Sequence, residues 1–267
     1  MTADMALAFG LGLLLGSFLN VAIHRMPRMI ERDAQEAPTI ERFDLCWPAS
    51  HCPHCQTPLK IWHNIPVLSF LWLKGRCAFC HLAISWTYPA VELITALVWC
   101  FCAWHWGLNV TGLCWAFFAS LLIGLSIIDW QTTLLPDDLT QTLLWSGLLT
   151  SAMGWHPLST EQSILGAVVG YTSLWLVATA FHRITGKHGM GAGDFKLLAA
   201  LGAWLGPIAL IPLVMLASLS GAIVGLWMKF THRLREDGYV PFGPFLALAG
   251  LGIAGFGMDT ISAWLGW

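Results

Sequence analysis

The chain has 267 residues, of which 57% are hydrophobic and 10% charged, with a net charge of −2 and a mean hydropathy of +0.67. A soluble domain carries about 25% charged and about 45–50% apolar residues, so this chain lacks the polar side chains to cover a water-facing surface of its size. That disfavours a soluble enzyme, a disordered chain and a nucleic-acid binder, which would be basic, and leaves a polytopic helical membrane protein.

A bilayer core takes about 20 mostly apolar residues per helix. The first such run covers 5–23. It is too long for a signal-peptide core, has no basic segment before it and shows no convincing cleavage site. The polar stretch 24–87 follows, then apolar runs at 88–106, 110–128, 139–155, 163–181, 197–205, 208–228 and 245–267. The expected fold is therefore all-α, a membrane bundle of about eight transmembrane helices with one long loop between the first two. The sixth run is the shortest and ends at Gly206-Pro207. The 16 Trp suit helices that end at the membrane–water interface.

All 13 Lys and Arg lie between spans one and two, five and six, or seven and eight. With eight spans, every one falls on the same side. The positive-inside bias makes that side cytoplasmic and puts both termini outside. Omitting the sixth span would split the basic residues between the two sides.

Within the long loop, Cys52-Pro-His-Cys55 is followed after 21 residues by Cys77-Ala-Phe-Cys80. Two C-x-x-C turns at this separation read as a tetrahedral Cys₄ zinc site formed by Cys52, Cys55, Cys77 and Cys80. A pair of disulfides is the alternative, against which stands the reducing cytoplasmic compartment. Four thiolates leave no open coordination position, so the expected Zn2+ is structural. Cys100, Cys102 and Cys114 sit in apolar runs as small packing residues, and Cys46 is isolated.

Acidic residues beside hydrocarbon are functional candidates. Asp129 ends the apolar run Leu121-Leu-Ile-Gly-Leu-Ser-Ile-Ile-Asp129, and Asp194 follows Gly189-Met-Gly-Ala-Gly193. Both fall at the cytoplasmic face in the eight-span topology. Two aspartates meeting at one site cannot both ionise easily, so one can activate water while the other holds a proton. The glycines at 189, 191 and 193 would let the chain move to bring Asp194 near Asp129, or form an ordinary loop. Alternatively, Asp194 is a helix N-cap and Asp129 a solvated helix-end residue. Asp137 and Asp138, after Pro136, are expected to cap the next helix, and Glu92 to satisfy polar groups inside the bundle.

Taken in order, these residues resemble the bacterial type IV prepilin peptidases. The resemblance is carried by Gly16-Ser-Phe-Leu-Asn20-Val-Ala-Ile-His24-Arg25, the cysteine box after Pro48-Ala-Ser50, and Asn64-Ile-Pro66. It continues through Tyr88-Pro-Ala-Val-Glu92, Ile128-Asp129, Leu135-Pro136-Asp137, Gly189-Met-Gly-Ala-Gly193-Asp194-Phe195-Lys196 and Pro241-Phe-Gly-Pro244. The resemblance implies that Asp129 and Asp194 are the catalytic pair. It implies type IV prepilins or type II secretion pseudopilins as substrates, cut after Gly, and an inner-membrane location. It also implies N-methylation of the new N-terminus with S-adenosylmethionine, an activity associated with the long loop. No G-x-G-x-x-G strand–helix signature locates that cofactor. His63 and Thr87 stand where many relatives have Glu and Arg. The expected organisation is a first transmembrane helix (1–23), a cytoplasmic Cys₄ zinc loop domain (24–87) and a transmembrane aspartic peptidase domain (88–267). The rival readings are a proton-coupled transporter using the acids as relays and a non-catalytic assembly factor with a zinc docking loop.

Overall fold

The computed structural model describes residues 3–34, 42–187, 189–231 and 240–257. Each of the eight apolar runs is helical: α1 (Ala3–Ala34), α3 (Thr87–Trp106), α4 (Val110–Thr132), α5 (Asp137–Ala152), α6 (Thr160–Thr185), α7 (Ala192–Leu205), α8 (Leu210–Phe230) and α9 (Gly243–Phe256). The polar segment adds a 3₁₀ turn (Ile61–Asn64) and the short α2 (Leu68–Trp72). Among the described residues, extended pairing is limited to two isolated bridges.

Five helices, α1, α3, α4, α6 and α8, are long and apolar enough to cross a bilayer. The helices α5, α7 and α9 have 16, 14 and 14 residues. At 1.5 Å per residue a 14-residue helix reaches only about 21 Å, against a hydrocarbon core of about 30 Å. The rest of the last apolar run, from 258 on, lies outside the described residues. The chain is an all-helical integral membrane protein.

α1 continues past the expected end of its span to Ala34, with Pro27 inside the helix. Its 32 residues rise about 48 Å, more than the hydrocarbon core requires. Just past the expected end of the span, Arg25 ties the helix to the loop. Its buried guanidinium donates to the carbonyls of Asp44 (2.9 Å), Leu45 (3.3 Å) and Pro48 (2.6 Å), so the charge is taken up by backbone oxygens rather than left bare.

The chain forms two compact units, Met1–Gly124 and Leu125–Trp267, with the division inside α4. In the first, α1 lies directly on α3. A Cβ on Gly12 would meet Ala96 Cα at 2.6 Å, and one on Gly16 would meet Glu92 Cα at 2.6 Å. The two glycines, four residues apart, open one face of α1 to backbone contact. Asn20 Nδ2 donates to the Tyr88 carbonyl (3.0 Å), fixing the start of α3 beside α1.

In the second unit α7 is the core helix, buried almost throughout from Asp194 to Trp204. α6 meets it through Gly166 and Gly170, where added Cβ atoms would lie 2.1 Å from the Gly202 oxygen and 2.5 Å from the Leu198 oxygen. Trp204 Nε1 donates to the Leu143 carbonyl of α5 (2.8 Å), and Ser163 Oγ donates to the Ala203 carbonyl (2.6 Å). α6 and α8 expose large apolar side chains, among them Leu176, Val177, Leu219 and Ile223. That pattern suits helices whose solvent is lipid.

Candidate active site and metal centre

Asp129 lies three residues before the end of α4 and is 4% exposed; Asp194 is 8% exposed. Asp194 is not the N-cap of its helix and Asp129 is not solvated. Gly191 is the N-cap of α7, without a side-chain cap, and Asp194 is the third residue of the helix. Asp129 is buried rather than solvated. Its Oδ2 accepts a hydrogen bond from the backbone N–H of Gly243 (2.9 Å), the first residue of α9.

Both carboxylates are thus seated at helix N-termini, where backbone N–H groups lack intrahelical partners and the helix dipole favours negative charge. The backbone N–H of Gly191 faces the Asp194 carboxylate. Asp194 Oδ1 is buried with no hydrogen-bond partner among the described residues.

The two acids are close enough for their charges to act on one another. Leu135 packs between their supports. A Cβ on Gly193 would lie 2.8 Å from Leu135 Cβ, and one on Gly243 would lie 2.6 Å from Asp129 Oδ2 and 3.3 Å from Leu135 Cδ2. The turn that carries Asp194 and the start of α9 that holds Asp129 thus both pack on Leu135. Gly243 was legible only as part of Pro241-Phe-Gly-Pro244. The pattern gives no hint that its N–H reaches a side chain 114 positions away.

Asp137 and Asp138 occupy the first turn of α5, whose N-cap is Pro136 with no side-chain cap. Asp137 instead receives Lys196 of α7, whose Nζ donates to its two oxygens at 2.6 and 2.7 Å. An exposed pair of this kind contributes about 0–1 kcal/mol and chiefly fixes direction.

The four loop cysteines form the metal-ligand set expected of them: one sulfur from each of Cys52, Cys55, Cys77 and Cys80, all within 4.8 Å of one another. The two C-x-x-C turns share one design, offset by 25 positions. His51 bridges Pro58 as Arg76 bridges Ala83. Cys52 N–H donates to the Thr57 carbonyl as Cys77 N–H does to that of Leu82. Gln56 and His81 take the same left-handed conformation.

The Cys52 and Cys80 sulfurs are 3.8 Å apart. That is about the edge of a tetrahedron with metal–sulfur bonds of about 2.3 Å and far beyond a disulfide bond of about 2.05 Å. Within the cluster Thr57, through its hydroxyl and then its N–H, lowers the Cys55 thiol to about 6, while, outweighing the Leu82 N–H, burial and the neighbouring thiols raise that of Cys80 to about 11; metal binding takes all four as thiolates.

Glu92 ties this segment to α3. Glu92 Oε2 accepts from the Val67 N–H (2.8 Å), so the acid of α3 holds the turn before α2. His63 is outside the sulfur cluster. Its ring packs edge-on to Phe79 (5.5 Å) and its Nδ1 is buried without a hydrogen bond. Thr87 opens α3, its hydroxyl 2.9 Å from that of Ser85. Cys46 is exposed, and Cys100, Cys102 and Cys114 are free thiols of α3 and α4.

Residues 11–106 match the family model for the bacterial peptidase A24 N-terminal domain, and residues 116–226 match that for the type IV leader peptidase family. A protein of Dickeya chrysanthemi named prepilin leader peptidase/N-methyltransferase is 45% identical over 269 residues, covering 95% of this chain and 92% of the relative. Identically named proteins of Pseudomonas putida and Pseudomonas aeruginosa are 46% and 45% identical, over 92% and 90% of this chain and 88% and 86% of theirs. No solved structure is significantly similar to the chain.

Proposed function

This chain belongs to the type IV leader peptidase family, and on that footing we propose that it removes the leader of type IV prepilins or type II secretion pseudopilins and methylates the exposed amine. Asp129 and Asp194 are the catalytic pair. The observation that carries this is the meeting of two buried carboxylates at the N-termini of α7 and α9. Asp129, which accepts the Gly243 N–H, is the ionised base. Asp194, with an unpaired oxygen, carries the proton.

Asp129 removes a proton from water as the water oxygen attacks the carbonyl carbon of the Gly before the cut, while Asp194 protonates that carbonyl oxygen. Collapse of the tetrahedral adduct returns one hydroxyl proton to Asp194 as the C–N bond breaks, and the proton held by Asp129 passes to the leaving amine, which restores the singly protonated pair. Gly243 steadies the base, and Leu135 keeps the glycine turn against it.

The four cysteines hold structural zinc, which closes the loop without taking part in either reaction. The chemistry that S-adenosylmethionine supplies when bound is an electrophilic methyl group.

With eight crossings, the basic residues, the cysteine segment and both aspartates face the cytoplasm and both termini are periplasmic. Arg233 and Arg235, part of that tally, lie outside the described residues. The emerging apolar helix of the substrate then reaches the site from within the bilayer while its leader stays in water.

The test is incubation of purified protein with a prepilin and S-adenosylmethionine, read by gel mobility and by the mass of the new N-terminal peptide. A shortened, methylated product is expected. An unaltered prepilin is what a transporter or a docking factor would leave, and neither of those readings accounts for both the aspartate pair and the family match.

A further inference from the structure

Between Lys60 and Lys74 the long loop carries a run, 61–73, with nine apolar residues among its 13 and no Asp, Glu, Lys or Arg. A bilayer crossing takes about 20 residues, and an apolar run of about 10–14 belongs in a protein core or along a membrane interface. Burial decides between the two. Ile61 is 88% exposed, Trp72 79% and Trp86, beyond the end of the run, 74%; Trp62, Leu68 and Leu71 are exposed as well. The run is not a core segment.

The exposed side chains form a face. Leu71 and Trp72 follow Leu68 by three and four residues on α2, so the three share one side of it. Ser69 among them is buried, and its hydroxyl donates to the Trp62 carbonyl (2.8 Å), fastening the 3₁₀ turn to α2. Phe70 packs edge-on to Trp86 (4.7 Å), the N-cap of α3. From Trp86 the exposed positions run on along α3 as Ala90, Leu93 and Leu97, in steps of four, three and four that make one helix face. Since α3 is long and apolar enough to cross a bilayer, the apolar face of the loop continues the outward stripe of a span. Lys60, Lys74 and Arg76 border the run and are exposed, and Lys60 Nζ lies over the Trp62 ring (5.4 Å).

We propose that the segment 60–76 lies on the membrane surface, with Ile61, Trp62, Leu68, Leu71, Trp72 and Trp86 seated in the boundary between headgroups and acyl chains. The occupant of this face is phospholipid, and anionic headgroups meet Lys60, Lys74 and Arg76. Indole rings favour that depth, and the lysine stems reach back to water along the apolar surface. Cys55 and Cys77 stand on either side of the segment, so its seating holds the metal-binding turns at the membrane surface.

The test uses the full chain in nanodiscs of phosphatidylethanolamine and phosphatidylglycerol that contain a phospholipid with a photoactivatable diazirine near the glycerol end of one acyl chain. Adducts are mapped by mass spectrometry. Lipid adducts are expected within 61–73 and, as the internal reference, within 90–97. The double variant Leu71→Glu/Trp72→Glu should lower adducts within 61–73 at least about tenfold and leave the reference unchanged. Zinc content reports the folding of the variant; should it be lost, the wild-type adduct map decides. Replacing phosphatidylglycerol by phosphatidylcholine should also lower the adducts within 61–73. Wild-type protein labelled within 90–97 but not within 61–73 overturns the proposal, as does equal labelling of a zinc-loaded double variant. Equal labelling in the zwitterionic discs overturns the role given to the three basic residues. Crosslinks from 61–73 to a second copy of the chain, or to a prepilin carrying the same photoactive group, in place of lipid would assign the face to a protein and overturn the proposal.

Discussion

Asp129 and Asp194 differ in what holds them, and that difference divides the proposed chemistry. A backbone N–H at the start of α9 faces one oxygen of Asp129, and Asp194 keeps one oxygen without a partner. The support is a main-chain group, so no side-chain deletion removes it, but an added methyl group disturbs it. In Gly243→Ala the new Cβ would lie 2.6 Å from Asp129 Oδ2, and the carboxylate must shift. Because a displacement of about 1 Å can cost about 10²-fold in rate, Gly243→Ala should lower kcat for prepilin cleavage by 10–10²-fold (order of magnitude) with little change in KM. Steady-state kinetics on a prepilin peptide checks this; an unchanged kcat would show that the N–H contact does not position the base. The two acids were legible in the sequence because charge beside an apolar run stands out. Gly243 was not, because a backbone donor leaves no compositional trace.

At the scale of the helices, close approach is set by small residues four apart. Gly12 and Gly16 face α3, and Gly166 and Gly170 face α7. The second pair matters for the site because α7 carries Asp194. A Gly166→Leu variant has no room, since even a Cβ would fall 2.1 Å from the Gly202 oxygen. Separation of α6 from α7 should destabilise the protein by about 1–3 kcal/mol, lower its melting temperature in detergent and reduce cleavage in proportion to the unfolded fraction. Gly10, with nothing within 4 Å of its added Cβ, is the control and should tolerate Ala.

The apolar runs gave every long helix, because hydrophobicity over about 20 residues is what a membrane selects. They missed the ends. α1 runs to Ala34, and its Arg25 is held by carbonyls far along the chain; no local pattern announces partners 19–23 positions away.

Across the whole molecule, the metal-binding cysteines, in the long loop that the resemblance links to methylation, belong to Met1–Gly124, and both aspartates belong to Leu125–Trp267. The two activities should therefore separate under metal removal. Structural zinc supplies about 10–16 kcal/mol of apparent folding free energy in small domains, so a strong chelator, or Cys52→Ser, should unfold the cysteine turns and abolish methylation. Cleavage should fall much less. Parallel assays of leader removal and methyl incorporation, with zinc measured on the same sample, check this; equal loss of both would mean that the metal segment also supports the aspartate site. The cysteine spacing made the metal cluster legible at once, because two tight turns can be read one at a time.

Paired acid catalysis by Asp129 and Asp194 is the central claim, and single-turnover cleavage of a prepilin by Asp129→Asn and Asp194→Asn in nanodiscs tests it most directly. Each variant should keep its helical content and zinc and lose at least about 10²–10⁴-fold in cleavage rate, with binding of the uncut prepilin retained. Cleavage by either variant at the wild-type rate would contradict it.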